Sequence, residues 1–107
     1  MRFIKPSSLN PNSIILDIRS PIDHQKEQLA LPHILIEAKD LNPDDFMAKY
    51  NPKGDKTINI LCTSGGLSSE IAQRFEEKGY DNIAVIIGGI IEAEYEGMDI
   101  IKSTSPN

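Results

Sequence analysis

Residues 57–80 read TINILCTSGGLSSEIAQRFEEKGY, and this segment is the most informative part of the chain. Its first five residues form an apolar, β-branched run that predicts a buried strand. From about Glu70 to Gly79 the apolar residues recur with helical spacing, which predicts a helix with one core-facing side. Between the two lie Cys62, a pair of glycines and several hydroxyl side chains. In an open parallel sheet, ligands bind beyond the carboxyl ends of the strands, and Cys62 lies at such an end.

Cys62 stands in a setting that favours reactivity. Gly65 and Gly66 allow the loop to turn its backbone N–H groups inward as an anion nest, and the following helix adds partial positive charge. Both favour the thiolate, which is the nucleophilic form of cysteine. The alternative is a small buried residue closing a core strand, because free cysteine is among the most buried residue types. The loop composition favours a reactive or binding cysteine that is partly exposed.

Three serines follow in the loop and the predicted helix start. We expect one of Ser64, Ser68 and Ser69 to cap the helix, because serine is a preferred N-cap residue. We expect another to donate a hydrogen bond to a bound sulfur.

Strand-like and helix-like segments alternate along the rest of the chain. Strands are predicted over 13–18, 34–36, 57–61 and 82–87, with a possible edge strand over 98–101. Helices are predicted over 21–29, 43–50, about 70–79 and about 89–96, with 103–107 as a loose tail. Continuous apolar strands separated by helices indicate an α/β fold with a mostly parallel sheet of about five strands and helices on both faces. One domain over 1–107, with its core at about 13–102, fits this length.

The segment from Cys62 to Ser68 resembles the active-site loop of the rhodanese (sulfurtransferase) superfamily, Cys-x-x-Gly-x-Arg-Ser/Thr. Asp17-Ile18-Arg19 is similar to the family's Asp-x-Arg after an early strand, and Gly88-Gly89-Ile90 is similar to its Gly-Gly-Ile before the last helix. The resemblance implies a rhodanese-like three-layer fold, no cofactor and Cys62 as the catalytic residue. It implies substrate binding by Thr63, Ser64, Gly65, Gly66, Leu67 and Ser68.

Other parts of the chain depart from the family pattern. Leu67 stands where many members carry the loop arginine, so a cation that would seat an anionic donor is missing. Residues 27–32 replace the family's Gly-His-Ile-Pro-Gly-Ala, and Ala93 lies near the position of a frequent tryptophan. Asp17 and Arg19, two residues apart at a strand end, are expected to pair at the pocket rim, mainly in a structural role.

Three functions are compatible with these residues. The first is a sulfurtransferase that moves sulfane sulfur from a donor such as thiosulfate to cyanide or a thiol through a Cys62 persulfide. The second is a catalytically weak rhodanese-like module that binds a partner or senses oxidants through Cys62. The third is a cysteine phosphatase or arsenate reductase. Those enzymes carry a Cys-x5-Arg motif, and in this chain Ser68 stands where the arginine that holds the phosphate should be.

The composition of the chain limits the classes of partner and the cellular location that we expect. The formal charge is −5 and the pI is about 4.9, which argues against nucleic acid and anionic membranes as partners. A small sulfur donor, or a protein persulfide or thiol, is expected instead. One cysteine excludes an internal disulfide, and no signal peptide or membrane span is recognisable, so a cytoplasmic location is expected. His24 and His33 lack ligand or triad spacing, so we expect surface histidines and no metal site.

Overall fold

A five-stranded parallel sheet organises the chain in a computed structural model that describes residues 1–103. The strands of the protein, in chain order, are β1 (Arg2–Ile4), β2 (Ile14–Asp17), β3 (Glu27–Leu29), β4 (Ile34–Leu35), β5 (Ile58–Leu61), β6 (Ile83–Ile86) and β7 (Ile100–Lys102). The main sheet has the order β1-β6-β5-β2-β4, and every pair in it is parallel. Strand β5 is therefore central, and the loop after it lies in the middle of the sheet's carboxyl edge.

Helices connect the parallel strands, as such connections require. They are α1 (Pro21–Lys26), α2 (Pro43–Tyr50), α3 (Gly66–Glu77) and α4 (Gly89–Tyr95), and short 3-10 helices cover Pro6–Ser8 and Ala38–Asp40. Helices α1 and α2 each start with a proline after a capping residue. The Ser20 hydroxyl accepts from the backbone N–H of Asp23 (3.2 Å), and the Asn42 side chain accepts from that of Asp45 (3.1 Å).

The sheet has a hydrophobic core on each face. On one face, Phe46 of α2 and Phe75 of α3 pack with the strand residues Ile58 and Ile60. On the other face, a second cluster includes Ile90 of α4 together with residues of β2, β5 and β6. Because both faces are covered, β5 and β6 are buried along their whole length, which explains their continuous apolar sequences. The predicted parallel α/β fold is confirmed.

Several predicted boundaries are wrong. The helix predicted over 21–29 ends at Lys26, and Glu27–Leu29 instead forms β3, which pairs antiparallel with β7 in a separate two-stranded sheet. The segment predicted as an edge strand over 98–101 is thus not part of the main sheet. Leu29 is fully buried in the second core, which favours the strand. We did not predict β1, which lies before the expected core and forms one edge of the main sheet.

The first residue of the predicted loose tail, Ser103, forms a backbone hydrogen bond. The backbone N–H of Ser103 donates to the Lys26 carbonyl (2.9 Å), and residues 104–107 lie outside the described residues.

None of the helices in residues 1–103 has both the length and the apolar character that crossing a lipid bilayer requires.

Candidate active site

Cys62 directly follows β5 at the centre of the sheet's carboxyl edge. Its Sγ accepts a hydrogen bond from the backbone N–H of Gly65 (2.9 Å). The side chain is only 3% exposed, so the expectation of a partly exposed cysteine is wrong. The side chain is buried because it packs in the core cluster that contains Phe46 of α2 and Phe75 of α3.

The turn of the loop depends on Gly65. This residue has φ +104°, a left-handed conformation that favours glycine, and it is the N-cap of α3. No serine side chain caps α3, so that prediction is wrong; the Ser69 hydroxyl instead donates to the Gly65 carbonyl (3.3 Å). The backbone N–H groups in the first turn of a helix have no partner within the helix. The backbone N–H groups at the start of α3, which lack a partner within the helix, therefore lie next to the Cys62 loop.

Gly89 allows α4 to approach the cysteine loop closely. The N–H of Ile90 donates to the Cys62 carbonyl (2.9 Å), and that of Ile91 donates to the Thr63 carbonyl (3.2 Å). A Cβ atom at Gly89 would lie 2.3 Å from the Cys62 carbonyl oxygen, so no other residue fits there without moving the loop. The Gly-Gly-Ile sequence thus fixes the backbone that carries Cys62.

Ser68 contributes a buried hydroxyl to the first turn of α3. Its side chain is fully buried, and within residues 1–103 its Oγ has no hydrogen-bond partner. Leaving a buried polar group without a hydrogen bond costs roughly 1–3 kcal/mol of stability. The Ser68 hydroxyl is therefore available to donate to a bound group.

A cleft of about 400 Å³ opens beside Cys62. Of the predicted substrate-binding residues, Thr63, Ser64 and Leu67 line it, whereas Gly65, Gly66 and Ser68 do not. Leu67 is 41% exposed at its edge. The sequence analysis missed other lining residues, which come from the segments after β2 and β4: Ile18, Ser20, Asp23, Glu37, Ala38 and Lys39. Only the pairing of distant strands brings these residues to Cys62.

The cleft carries charges of both signs. Asp23 and Glu37 are acidic, and Arg19 and Lys39 are basic. The Arg19 guanidinium is already engaged, whereas exposed Lys39 forms no ion pair with any residue of the described chain. Lys39 is therefore the cation that an anionic ligand in the cleft can reach.

Asp17 and Arg19 form a buried ion pair behind the cleft. Arg19 Nη2 and Asp17 Oδ2 are 2.8 Å apart, and the Arg19 backbone N–H also donates to Asp17 Oδ1 (3.0 Å). The guanidinium further donates to the carbonyls of Asp23 (3.3 Å) and Glu27 (2.8 Å). The pair therefore ties α1 and the start of β3 to the end of β2. The predicted pair forms, but of its two residues Arg19 alone lines the cleft, and the structural role of the pair stays a prediction.

A larger cleft, of about 690 Å³, lies elsewhere on the molecule and is lined by residues such as Arg2, Thr57 and Asn59. Its lining includes no cysteine or histidine. Size alone therefore does not mark the candidate site. We assign the site to the smaller cleft, where the Cys62 sulfur accepts a hydrogen bond from the Gly65 N–H.

The two histidines lie together rather than as separate surface residues. His24 Nε2 and His33 Nε2 are 2.8 Å apart, and both side chains are partly buried. Burial lowers the pKa of His24, with His33 and Arg19 acting in the same direction and Asp17 opposing them. Neutral imidazole is thus favoured at pH 7. The expectation of two unrelated surface histidines is wrong.

The family of the chain follows from a comparison over most of its length. The family model for the Rhodanese-like domain matches residues 7–94. The chain belongs to the rhodanese-like family. Within this rhodanese-like domain, the match includes the Asp17 to Arg19 pair, the Cys62 loop and the Gly-Gly-Ile turn into α4. No curated protein is significantly similar to it in sequence.

Solved structures share the fold of this rhodanese-like domain at low sequence identity. A Helicobacter pylori protein determined by NMR has a TM-score of 0.74 and 21% identity, covering 98% of this chain and 93% of that one. A rhodanese-related protein from Thermoplasma volcanium has a TM-score of 0.70 and 24% identity, covering 94% and 98%. A thiosulfate sulfurtransferase from Pseudomonas aeruginosa has a TM-score of 0.78 and 18% identity, covering 96% of this chain but 20% of that one.

Proposed function

We propose that this rhodanese-like domain is a sulfurtransferase in which Cys62 carries sulfane sulfur as a persulfide. The observation that carries the proposal is the hydrogen bond from the Gly65 N–H to Cys62 Sγ (2.9 Å) at the inner end of the cleft. Preorganised backbone donors stabilise negative charge on a reacting atom without reorganisation during the reaction. The cleft, at about 400 Å³, suits a small donor.

The reaction balances without a metal, an oxidant or a proton source. The Cys62 thiolate attacks the outer sulfur of thiosulfate, an Sγ–S bond forms, and the S–S bond of the donor breaks as sulfite leaves with the electron pair. Cyanide or a thiolate then attacks the outer sulfur of the persulfide, and the Cys62 thiolate leaves. The Cys62 thiolate and the persulfide both carry negative charge on sulfur, next to the Gly65 N–H that stabilises it.

Ser68 provides a test of how the persulfide is stabilised. Ser68 does not line the cleft, but its hydroxyl lies in the first turn of α3, directly after the Cys62 loop, and has no partner among residues 1–103. We propose that it donates to the persulfide from the buried side. Hydrogen bonds to charged groups are worth about 1.5–3 kcal/mol. We expect Ser68→Ala to lower kcat/KM for thiosulfate by about tenfold or more, while its free energy of unfolding stays equal or rises by up to about 1 kcal/mol.

Ser69→Ala is the matched control, because the Ser69 hydroxyl is already bonded to the Gly65 carbonyl. It should leave turnover nearly unchanged. A Ser68→Ala protein that keeps wild-type kcat/KM would remove Ser68 from the proposed mechanism.

Leu67 tests the role of the missing loop cation. The side chain is 41% exposed at the edge of the cleft, so arginine can be placed there without disturbing the core. We expect Leu67→Arg to lower the KM for thiosulfate about two- to fivefold, the effect of a partly exposed ion pair, with little change in kcat. Steady-state kinetics at low and high salt measure this, since screening should reduce the effect.

Leu67→Met keeps the size and lacks the charge, so it should retain the wild-type KM. An unchanged KM in Leu67→Arg at low salt would show that Lys39 and the loop amides already suffice for the anion.

The function itself is tested with three sulfur donors. Wild-type protein is assayed for thiocyanate formation from cyanide with thiosulfate, with mercaptopyruvate and with a protein persulfide as donor. Turnover with any donor that disappears in Cys62→Ser supports the proposal. The absence of turnover with all three donors would contradict it.

A rhodanese-like binding or oxidant-sensing module is the second candidate. The near-complete burial of Cys62 fits a weak catalyst but argues against oxidant sensing, which needs an accessible thiol. The exposed apolar side chains of Leu67 and Ile91 beside the loop favour partner binding. A partner protein that covers these side chains could also deliver or accept sulfur. The phosphatase alternative is disfavoured because Ser68 supplies no guanidinium and because Arg19 is committed to Asp17.

A further inference from the structure

His24 and His33 face each other through the same ring nitrogen. Their Nε2 atoms are 2.8 Å apart, and the rings meet edge to face with centroids 5.0 Å apart. His24 lies on α1, and His33 immediately precedes β4. Two ring nitrogens at this distance need a proton or a cation between them, because two lone pairs would repel each other.

The second nitrogen of His33 fixes which form the ring takes. His33 Nδ1 lies 2.8 Å from the Leu31 carbonyl oxygen. A carbonyl only accepts, so Nδ1 carries the hydrogen, and the Nε2 of neutral His33 points a lone pair at His24. Histidines that bind metals usually hold their other N–H in this way, against a backbone carbonyl or a carboxylate.

Asp17 is a third potential ligand. One of its carboxylate oxygens and one nitrogen of each histidine all lie within 4.8 Å of one another. The carboxylate accepts four hydrogen bonds from Arg19, two at each oxygen, which matches its roughly four lone-pair sites. A bound ion would therefore have to displace the longest of them, from Arg19 Nε to Asp17 Oδ2 (3.3 Å). The charge of Arg19 opposes a nearby cation, so the affinity should be moderate.

The separation of the imidazoles suits two ligands of one ion. Nitrogens that each lie about 2.1 Å from a metal are about 3.0 Å apart at a right angle and about 3.4 Å apart at the tetrahedral angle. The observed separation of 2.8 Å would have to increase by about 0.2 Å for the right angle or about 0.6 Å for the tetrahedral angle. Both side chains are only partly buried, which leaves room for such a shift.

We propose that His24, His33 and Asp17 form a binding site for a divalent transition-metal ion of the zinc type. Two imidazoles and one carboxylate select zinc, nickel or copper over magnesium or calcium, which prefer all-oxygen sites. The bound ion would join α1 to the segment before β4. The proposal does not depend on the sulfurtransferase activity, and the spacing of the two histidines in the sequence did not suggest it.

The test is metal titration of tag-free protein by calorimetry and thermal unfolding, with Zn²⁺, Ni²⁺ and Mg²⁺ as probes. The chain has two histidines in all, so binding that depends on imidazole reports on this site alone. We expect one Zn²⁺ or Ni²⁺ per chain and a rise in Tm with metal concentration, with neither effect for Mg²⁺. His24→Ala and His33→Ala should each weaken binding by about tenfold or more.

Cys62→Ser separates this site from the thiol, since thiolates also bind zinc. It should keep wild-type affinity for the ion. Imidazole nitrogen NMR of the wild type provides a second readout that needs no variant: both Nε2 signals should move on binding, while His33 Nδ1 keeps its hydrogen. Binding that survives both histidine variants or disappears in Cys62→Ser would overturn the proposal. So would unmoved imidazole signals at millimolar metal.

Discussion

Replacing Cys62 with serine should reduce the formation of thiocyanate from thiosulfate and cyanide by at least about a thousandfold, to the uncatalysed background. A serine hydroxyl is not ionised near neutral pH, and its oxygen cannot hold sulfane sulfur in a bond that cyanide then cleaves. The loss therefore removes the covalent route itself rather than weakening substrate binding. Initial rates of thiocyanate formation at saturating donor measure the effect.

The fold of the Cys62→Ser protein should remain intact. A serine oxygen can accept the Gly65 N–H in place of Sγ, and the carbonyl of residue 62 still accepts from Ile90. Circular dichroism and thermal unfolding check this. Cys62→Ala, which keeps no acceptor, is the companion variant and should be equally inactive. Measurable turnover in either folded variant would show that another group carries the sulfur.

Asp17→Ala should cost about 3–5 kcal/mol of the free energy of unfolding, because it leaves the buried Arg19 guanidinium without its counter-charge. The Asp17 side chain is fully buried and that of Arg19 is 3% exposed, so water cannot replace the carboxylate. Domains of this size have a total stability of only about 5–15 kcal/mol. Tm should therefore fall by about 12 °C or more. Urea and thermal unfolding measure both quantities.

An exposed ion pair of the same protein is the matched control. Lys102 Nζ and Glu94 Oε2 are 2.7 Å apart, but the two side chains are 55% and 47% exposed. Glu94→Ala should change the free energy of unfolding by less than about 1 kcal/mol. If Asp17→Ala costs no more than Glu94→Ala, then the buried pair does not hold α1 and β3 against the sheet as we describe.

Local sequence patterns were sufficient to predict three strands of the main sheet and two helix starts. The runs that became β2, β5 and β6 are apolar because both faces of the sheet are covered, and the capping residues before Pro21 and Pro43 marked two helix starts. Strand β1 escaped prediction because it is three residues long at an exposed edge. Strand β3 escaped because its partner β7 lies more than seventy residues away, and no local pattern encodes that pairing.

Part of the candidate site could also be predicted from local sequence, and part of it could not. The loop around Cys62 could be predicted, since a nucleophile, glycines and hydroxyls are consecutive there. The burial of Cys62 could not, because its side chain packs in a core cluster formed by residues distant in the sequence, such as Phe46 and Phe75. Lys39 and the contact between His24 and His33 depend on how the chain returns to the sheet after β2, which no spacing rule captures.

Intact mass spectrometry under native, reductant-free conditions tests the central proposal most directly. After incubation with thiosulfate, wild-type protein should gain the mass of one sulfur atom, cyanide should remove it, and Cys62→Ser should gain none. With a single cysteine in the chain, no internal disulfide can consume the persulfide before it is detected. A wild-type protein that stays unmodified with thiosulfate, mercaptopyruvate and a protein persulfide would contradict sulfur transfer through Cys62.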